Sequence, residues 1–78
     1  MIMTEEQKRK YNIFTGELQD LLTVSRDERT EVKYYIKENG AEIVEIYDKH
    51  GHEIAKTDVT SMSLMVAAHS ILVMLIHG

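Results

Sequence analysis

The segment Ile36–Glu45, IKENGAEIVE, returns eleven residues later as Tyr47–Lys56, YDKHGHEIAK. Gly40 maps onto Gly51, Glu42 onto Glu53 and Ile43 onto Ile54. One strand plus a tight turn takes about that length. The spacing therefore predicts two consecutive β-hairpins, a three-stranded antiparallel meander running from Val32 to Val59.

Asn39-Gly40 is the strongest short-range hairpin signal in the chain, because both central residues of a type I′ turn take positive φ. His50-Gly51 does a similar job less well, since His tolerates the left-handed region only modestly, and a longer loop is the alternative there. With two-residue loops the register follows by counting. Ile36 then faces Ile43, Tyr34 faces Glu45, Tyr47 faces Ile54 and Glu45 faces Lys56. One face would carry Val32, Tyr34, Ile36, Ile43, Tyr47 and Ile54. The other would carry Tyr35, Val44, Ile46, Ala55 and Val59 among charged residues. Neither is cleanly polar, which predicts cover on both sides of the sheet.

The flanking segments can supply that cover. Thr4-Glu-Glu-Gln7 is a capping-box pattern, and Tyr11, Phe14, Leu18, Leu21 and Leu22 follow at steps of three and four, an amphipathic helix from about Glu5 to about Thr23. Lys8, Arg9, Glu17 and Asp20 form its polar side. Ser25–Glu31 is a polar connection. A rival reading continues a helix through Val32, Tyr35 and Ile36 to a cap at Gly40, but β-branched and aromatic residues favour a strand over Val32–Lys37.

From Met62 to Gly78 the chain is apolar on every helical face, with Asp58, Thr60 or Ser61 as candidate N-caps. Such a helix is buried all round or meets lipid. About fifteen residues is short for a bilayer, which needs roughly twenty. The expectation is a helix that covers the sheet on one side and meets a symmetry mate on the other, through Met62, Val66, His69, Val73 and Ile76. Burying four such side chains contributes about 6–10 kcal/mol before the cost of association.

Seventy-eight residues without Cys, Pro or Trp make a single small α+β domain over 1–78, ordered α-β-β-β-α. Neither disulfide nor metal staples it, and small unstapled chains often gain stability by oligomerising. The opening MIMTEEQKRKYN lacks the apolar core of a secretory signal, and with no Cys present a cytoplasmic location is expected.

Chemistry finds little to stand on. His50 and His52 straddle a turn beside Asp48 and read as solvated turn residues rather than metal ligands. His69 reads as a core or interface histidine that needs a partner, with Ser70, Tyr34 and Tyr35 as candidates. His77 is terminal. No nucleophile elbow or phosphate-cradling loop occurs, so no enzyme and no cofactor is expected.

Lys8-Arg9-Lys10, Arg26, Arg29, Lys33 and Lys37 suggest a basic strip beside Tyr35. Interleaved acids and a net charge of −4 argue against nucleic acid. Tyr35, Arg26, Arg29, Lys33 and Lys37 are therefore read as partner-binding residues, types favoured at protein interfaces. The expected function is a non-enzymatic, homo-oligomeric binding protein that modulates or inhibits a host or cellular macromolecule. In gross composition it is comparable with the small accessory inhibitors of phages and mobile elements. A nucleotide held by Arg26 or Arg29 with Tyr35 stacking, a nucleic-acid-binding regulator and a membrane-associated helix are the alternatives.

Overall fold

The computed structural model describes residues 2–77, with His77 by its backbone alone. An N-terminal helix, three antiparallel strands and a C-terminal helix follow one another in the predicted α-β-β-β-α order. Helix α1 (Glu5–Ile13) runs through a π turn (Phe14–Leu18) into α2 (Gln19–Arg26). Strands β1 (Glu31–Ile36), β2 (Glu42–Tyr47) and β3 (Glu53–Asp58) form a meander in the order β1-β2-β3, and α3 spans Leu64–His77. The disputed segment after Glu31 is a strand.

The capping box at Thr4 is complete: the Gln7 N–H donates to Thr4 Oγ1 at 3.1 Å and the Thr4 N–H to Gln7 Oε1 at 2.9 Å. From there the buried positions are Lys10, Phe14, Leu18 and Leu22, four apart throughout. At 3.6 residues per turn each such step overshoots by about 40°, so three steps would carry the stripe far round an α-helix. The wider π turn takes up part of that drift. Thr15, inside it, donates its hydroxyl to the Tyr11 carbonyl at 2.6 Å and competes with the main-chain ladder there. Tyr11 and Leu21, predicted on the apolar stripe, lie exposed instead. The helix outlasts its predicted end and stops at Asp27, in the left-handed region at φ 53°. The Glu28 N–H bonds back to the Thr23 carbonyl at 3.2 Å, closing a Schellman-type end.

Both hairpins close through the same hydrogen bonds, eleven residues apart. The Lys37 N–H reaches the Ala41 carbonyl and the Gly40 N–H the Lys37 carbonyl; the Asp48 N–H reaches His52 and the Gly51 N–H reaches Asp48. Only Gly40 (φ 88°) and Gly51 (φ 79°) take positive φ in these loops. Each loop is therefore three residues long, a type I turn ended by a left-handed glycine, and not the two-residue type I′ turn expected at Asn39-Gly40.

The extra residue moves the β1–β2 register by one. Tyr35 faces Ile43, Tyr34 faces Val44 and Lys33 faces Glu45. In the second hairpin a bulge at the Tyr47 end restores the count, so Glu45 does face Lys56 while Tyr47 faces Glu53 and not Ile54. The faces are re-sorted accordingly. Val32, Tyr34, Val44 and Ile46 line the buried side with Phe14, Leu18 and Leu22 from the first helix and Ala67 and Ile71 from α3. Phe14 meets Tyr34 edge-on, ring centroids 5.6 Å apart.

Both helices pack against that one face. Among the described residues no helix covers the second face: Glu31, Lys33, Tyr35, Glu45, Tyr47 and Lys56 lie on the side away from the helical core, together with Ile43, which is buried. Helix α3 is capped by Ser63, whose Oγ accepts from the Val66 N–H at 3.2 Å, and not by Asp58, Thr60 or Ser61. Asp58 and Thr60 serve the strand instead: Asp58 Oδ1 accepts from the Thr60 N–H at 2.8 Å, and Thr60 Oγ1 from the Glu42 N–H at 2.7 Å. No helix among the described residues is long and apolar enough to cross a membrane.

Candidate binding surface

The helix-free face of the sheet is ordered around one carboxylate. Register places Lys33, Glu45 and Lys56 in a row across the three strands. Glu45 accepts hydrogen bonds from two phenols, Tyr35 to Oε2 and Tyr47 to Oε1, each at 2.5 Å. Lys56 Nζ lies 3.7 Å from Oε2, and Lys33 Nζ stands 4.9 Å from the centroid of the Tyr47 ring, a cation–π contact. The Tyr35 bond, then that of Tyr47, holds the Glu45 carboxyl below its usual range. Reciprocally, the hydrogen bond to Glu45 pushes the Tyr47 phenol up to about 12 and raises that of Tyr35. The result is a pair of aromatic rings tied down through their hydroxyls and flanked by two ammonium groups.

A groove of about 410 Å³ borders this face. It lies where the start of the π turn meets β1, lined by Tyr11, Thr15, Gln19, Glu31, Lys33 and Tyr35 among others. Gln19 Oε1 accepts from the Val32 N–H at 2.9 Å, so the helix satisfies an outward-pointing group of the edge strand and blunts it against further pairing.

Of the residues predicted to bind a partner, the structure brings together Tyr35 and Lys33. Lys37 is exposed just beyond the end of β1. Arg26 and Arg29 are elsewhere. Arg26 ends the first helix with Nη2 3.3 Å from Glu28 Oε1, and its Nη1 is buried without a partner among the described residues. Arg29 is exposed in the connection to β1. Lys10, grouped with Lys8 and Arg9 as a basic strip, is no surface residue: it is 2 % exposed and bonded to Glu42 at 2.7 Å.

Glu45 and Tyr47 are the residues the sequence reading missed. Their sharing a face was readable from strand alternation alone, but joining Tyr35 to them needed the three-residue loop.

Along α3, Val66, His69, Val73 and Ile76 are exposed, whereas Met62 is partly buried and packs on the core. His69 is thus not a core histidine. The hydroxyls of Tyr34 and Tyr35, once candidate partners for it, donate to Glu42 and Glu45. His50 and His52 flank the second turn, where Asp48 Oδ1 accepts from both of their backbone N–H groups at 2.9 Å. No group of three metal-capable side chains occurs among the described residues. No protein-family model, curated protein or solved structure matches the chain.

Proposed function

We propose that the chain is a small non-enzymatic binding protein that engages another macromolecule through the helix-free face of its sheet and so modulates or inhibits it. The observation that carries this reading is the Tyr35–Glu45–Tyr47 cluster. Rings already immobilised lose little freedom on binding, which is what an interface anchor requires. Tyrosines beside cations are also the residue types that dominate contact energies. The same hydrogen bonds argue against acid–base work by Glu45, because a carboxylate that accepts from two phenols and is held ionised is a poor proton acceptor. Charge argues for protein over nucleic acid: Lys8, Lys10 and Arg26 are paired with Glu5, Glu42 and Glu28, on a chain of net charge −4.

The test is affinity capture from a lysate of the source cells, with wild type and a Tyr35→Ser/Tyr47→Ser variant side by side. A protein retained by wild type and lost by the variant, while circular dichroism shows the variant folded, supports the reading. Capture that ignores both tyrosines would remove it.

A second reading, sequestration of a small ligand, has the groove in its favour, since 410 Å³ falls within the usual range for ligand sites. Arg26 and Arg29 do not line it, and Lys33 stands there beside Glu31, so a neutral or zwitterionic ligand fits better than a nucleotide. Thermal shift against nucleotides and amino acids separates the two.

A further inference from the structure

We propose that α3 is a two-fold seam: a second copy of this chain packs antiparallel against it, about an axis passing through His69. The exposed side of α3 is apolar on both sides of His69. Met65, Val66, Val73 and Ile76 expose 81, 54, 42 and 56 % of their surfaces. At roughly 100° per residue, His69 lies about 160° round the helix from both Ala67 and Ile71, which are buried in the core. The stripe therefore points directly away from the protomer.

Charge decides what can cover it. All 9 basic and 13 acidic side chains lie at or before Asp58. A second copy also carries −4, and an isologous contact sets each patch against its own image, so any charge near the axis would meet itself. The α3 stripe lets such a copy approach without that penalty. No ion pair ties His69 to the charged side chains of the elements that α3 packs on, Glu5, Glu6, Lys8, Arg9 and Lys10 of α1 and Glu53, Lys56 and Asp58 of β3, among the described residues.

Spacing admits an antiparallel direction. About His69 the apolar positions of the helix are balanced, with Met65 four before and Val73 four after, and Val66 three before and the partly buried Leu72 three after. An antiparallel partner sets Met65 against Val73 of the second copy and Val66 against Leu72, apolar on apolar each time. Opposed helix dipoles favour the same direction.

The chain contains no cysteine, so single cysteines report the register directly. Sedimentation at tens of micromolar is expected to give a dimer, and Val73→Asp a monomer with an unchanged circular dichroism spectrum. Under mild oxidation His69→Cys is expected to form a covalent dimer. Met65→Cys and Val73→Cys should each fail alone yet cross-link when mixed. A monomeric wild type overturns the proposal, and one that floats with phosphatidylcholine vesicles assigns the stripe to lipid. Cross-linking of each single variant with itself would make the helices parallel and overturn the two-fold axis at His69. A dimer that survives Val73→Asp places the seam on another surface.

Discussion

Lys10 Nζ and Glu42 Oε1 lie 2.7 Å apart at the junction of helix and sheet, with side chains 2 % and 10 % exposed. The same carboxylate oxygen accepts from the Tyr34 hydroxyl at 2.7 Å. Burial, then the bond to Glu42, raises the Tyr34 phenol well above its usual range, so it stays a donor. Three polar groups thus satisfy one another beside the apolar core. Removing one partner strands a buried charge, at a cost of about 3–5 kcal/mol, whereas replacing a whole buried set with apolar groups is often neutral. Lys10→Met is accordingly expected to destabilise by about 3 kcal/mol in urea unfolding. The triple variant Lys10→Met/Glu42→Leu/Tyr34→Phe should return to within about 1 kcal/mol of wild type. A Lys10→Met protein as stable as wild type would mean that the pair contributes nothing.

The Glu45 cluster predicts a pH dependence at both ends of the scale. Tyr47 is raised from 10.0 to about 12 by its bond to Glu45, so the protonated phenol is favoured in the folded state. Its contribution is complete below pH 10 and is lost as pH rises toward 12. Glu45 is lowered from 4.5, so its contribution is present above pH 4.5 and disappears as pH falls below it. Urea midpoints measured across the pH range should therefore fall in both windows. Tyr35→Phe/Tyr47→Phe should flatten both declines, and wild-type curvature retained in that variant would assign it to other groups.

What was legible in the sequence, and what was not, divides along one physical line. Period and composition were enough for the element order, because alternation and helical spacing report which residues want burial. Register was not, because it hangs on whether Asn39 takes positive φ, a choice the Asn-Gly pair leaves to its surroundings. Asn39 Oδ1 instead accepts from the Ala41 N–H at 3.0 Å, and the loop gains a residue. That one residue turned Ile43, Glu45 and Tyr47 onto the side of Tyr35 and left the aromatic pair unseen. Lys10 is missed for a different reason: a lysine next to Lys8 and Arg9 looks solvated, although it stands one i,i+4 step before Phe14 and so on the buried stripe.

Two left-handed residues of opposite suitability give a paired test. Asp27 ends the first helix at φ 53°, where glycine is the usual occupant, and its carboxylate sits at the negative end of the helix dipole. Asp27→Gly should stabilise by about 0.5 kcal/mol, since both burdens are removed. Gly40 takes φ 88° with nothing within 4 Å of an added Cβ, so Gly40→Ala meets no clash and its whole cost is backbone, about 1 kcal/mol. Thermal unfolding should move in opposite directions for the two variants. A destabilised Asp27→Gly would show that the aspartate itself supports the helix end.

Gly16 lies within the π turn, with helical neighbours on both sides and open space for a Cβ. Alanine there should gain roughly 0.5–1 kcal/mol, the ordinary propensity difference, provided the wide turn is set by the Thr15 hydroxyl and by packing of Phe14 and Leu18 rather than by the glycine. The control is Thr15→Val, which removes the bond to the Tyr11 carbonyl while keeping the shape of the side chain. If the hydroxyl holds the π turn open, Thr15→Val should shift the helix toward α geometry and disturb the alignment of Lys10 with Glu42, visible as altered amide chemical shifts at both residues. Gly16→Ala should leave those shifts in place. Loss of stability in Gly16→Ala, together with shifts at Lys10, would assign the wide turn to the glycine instead.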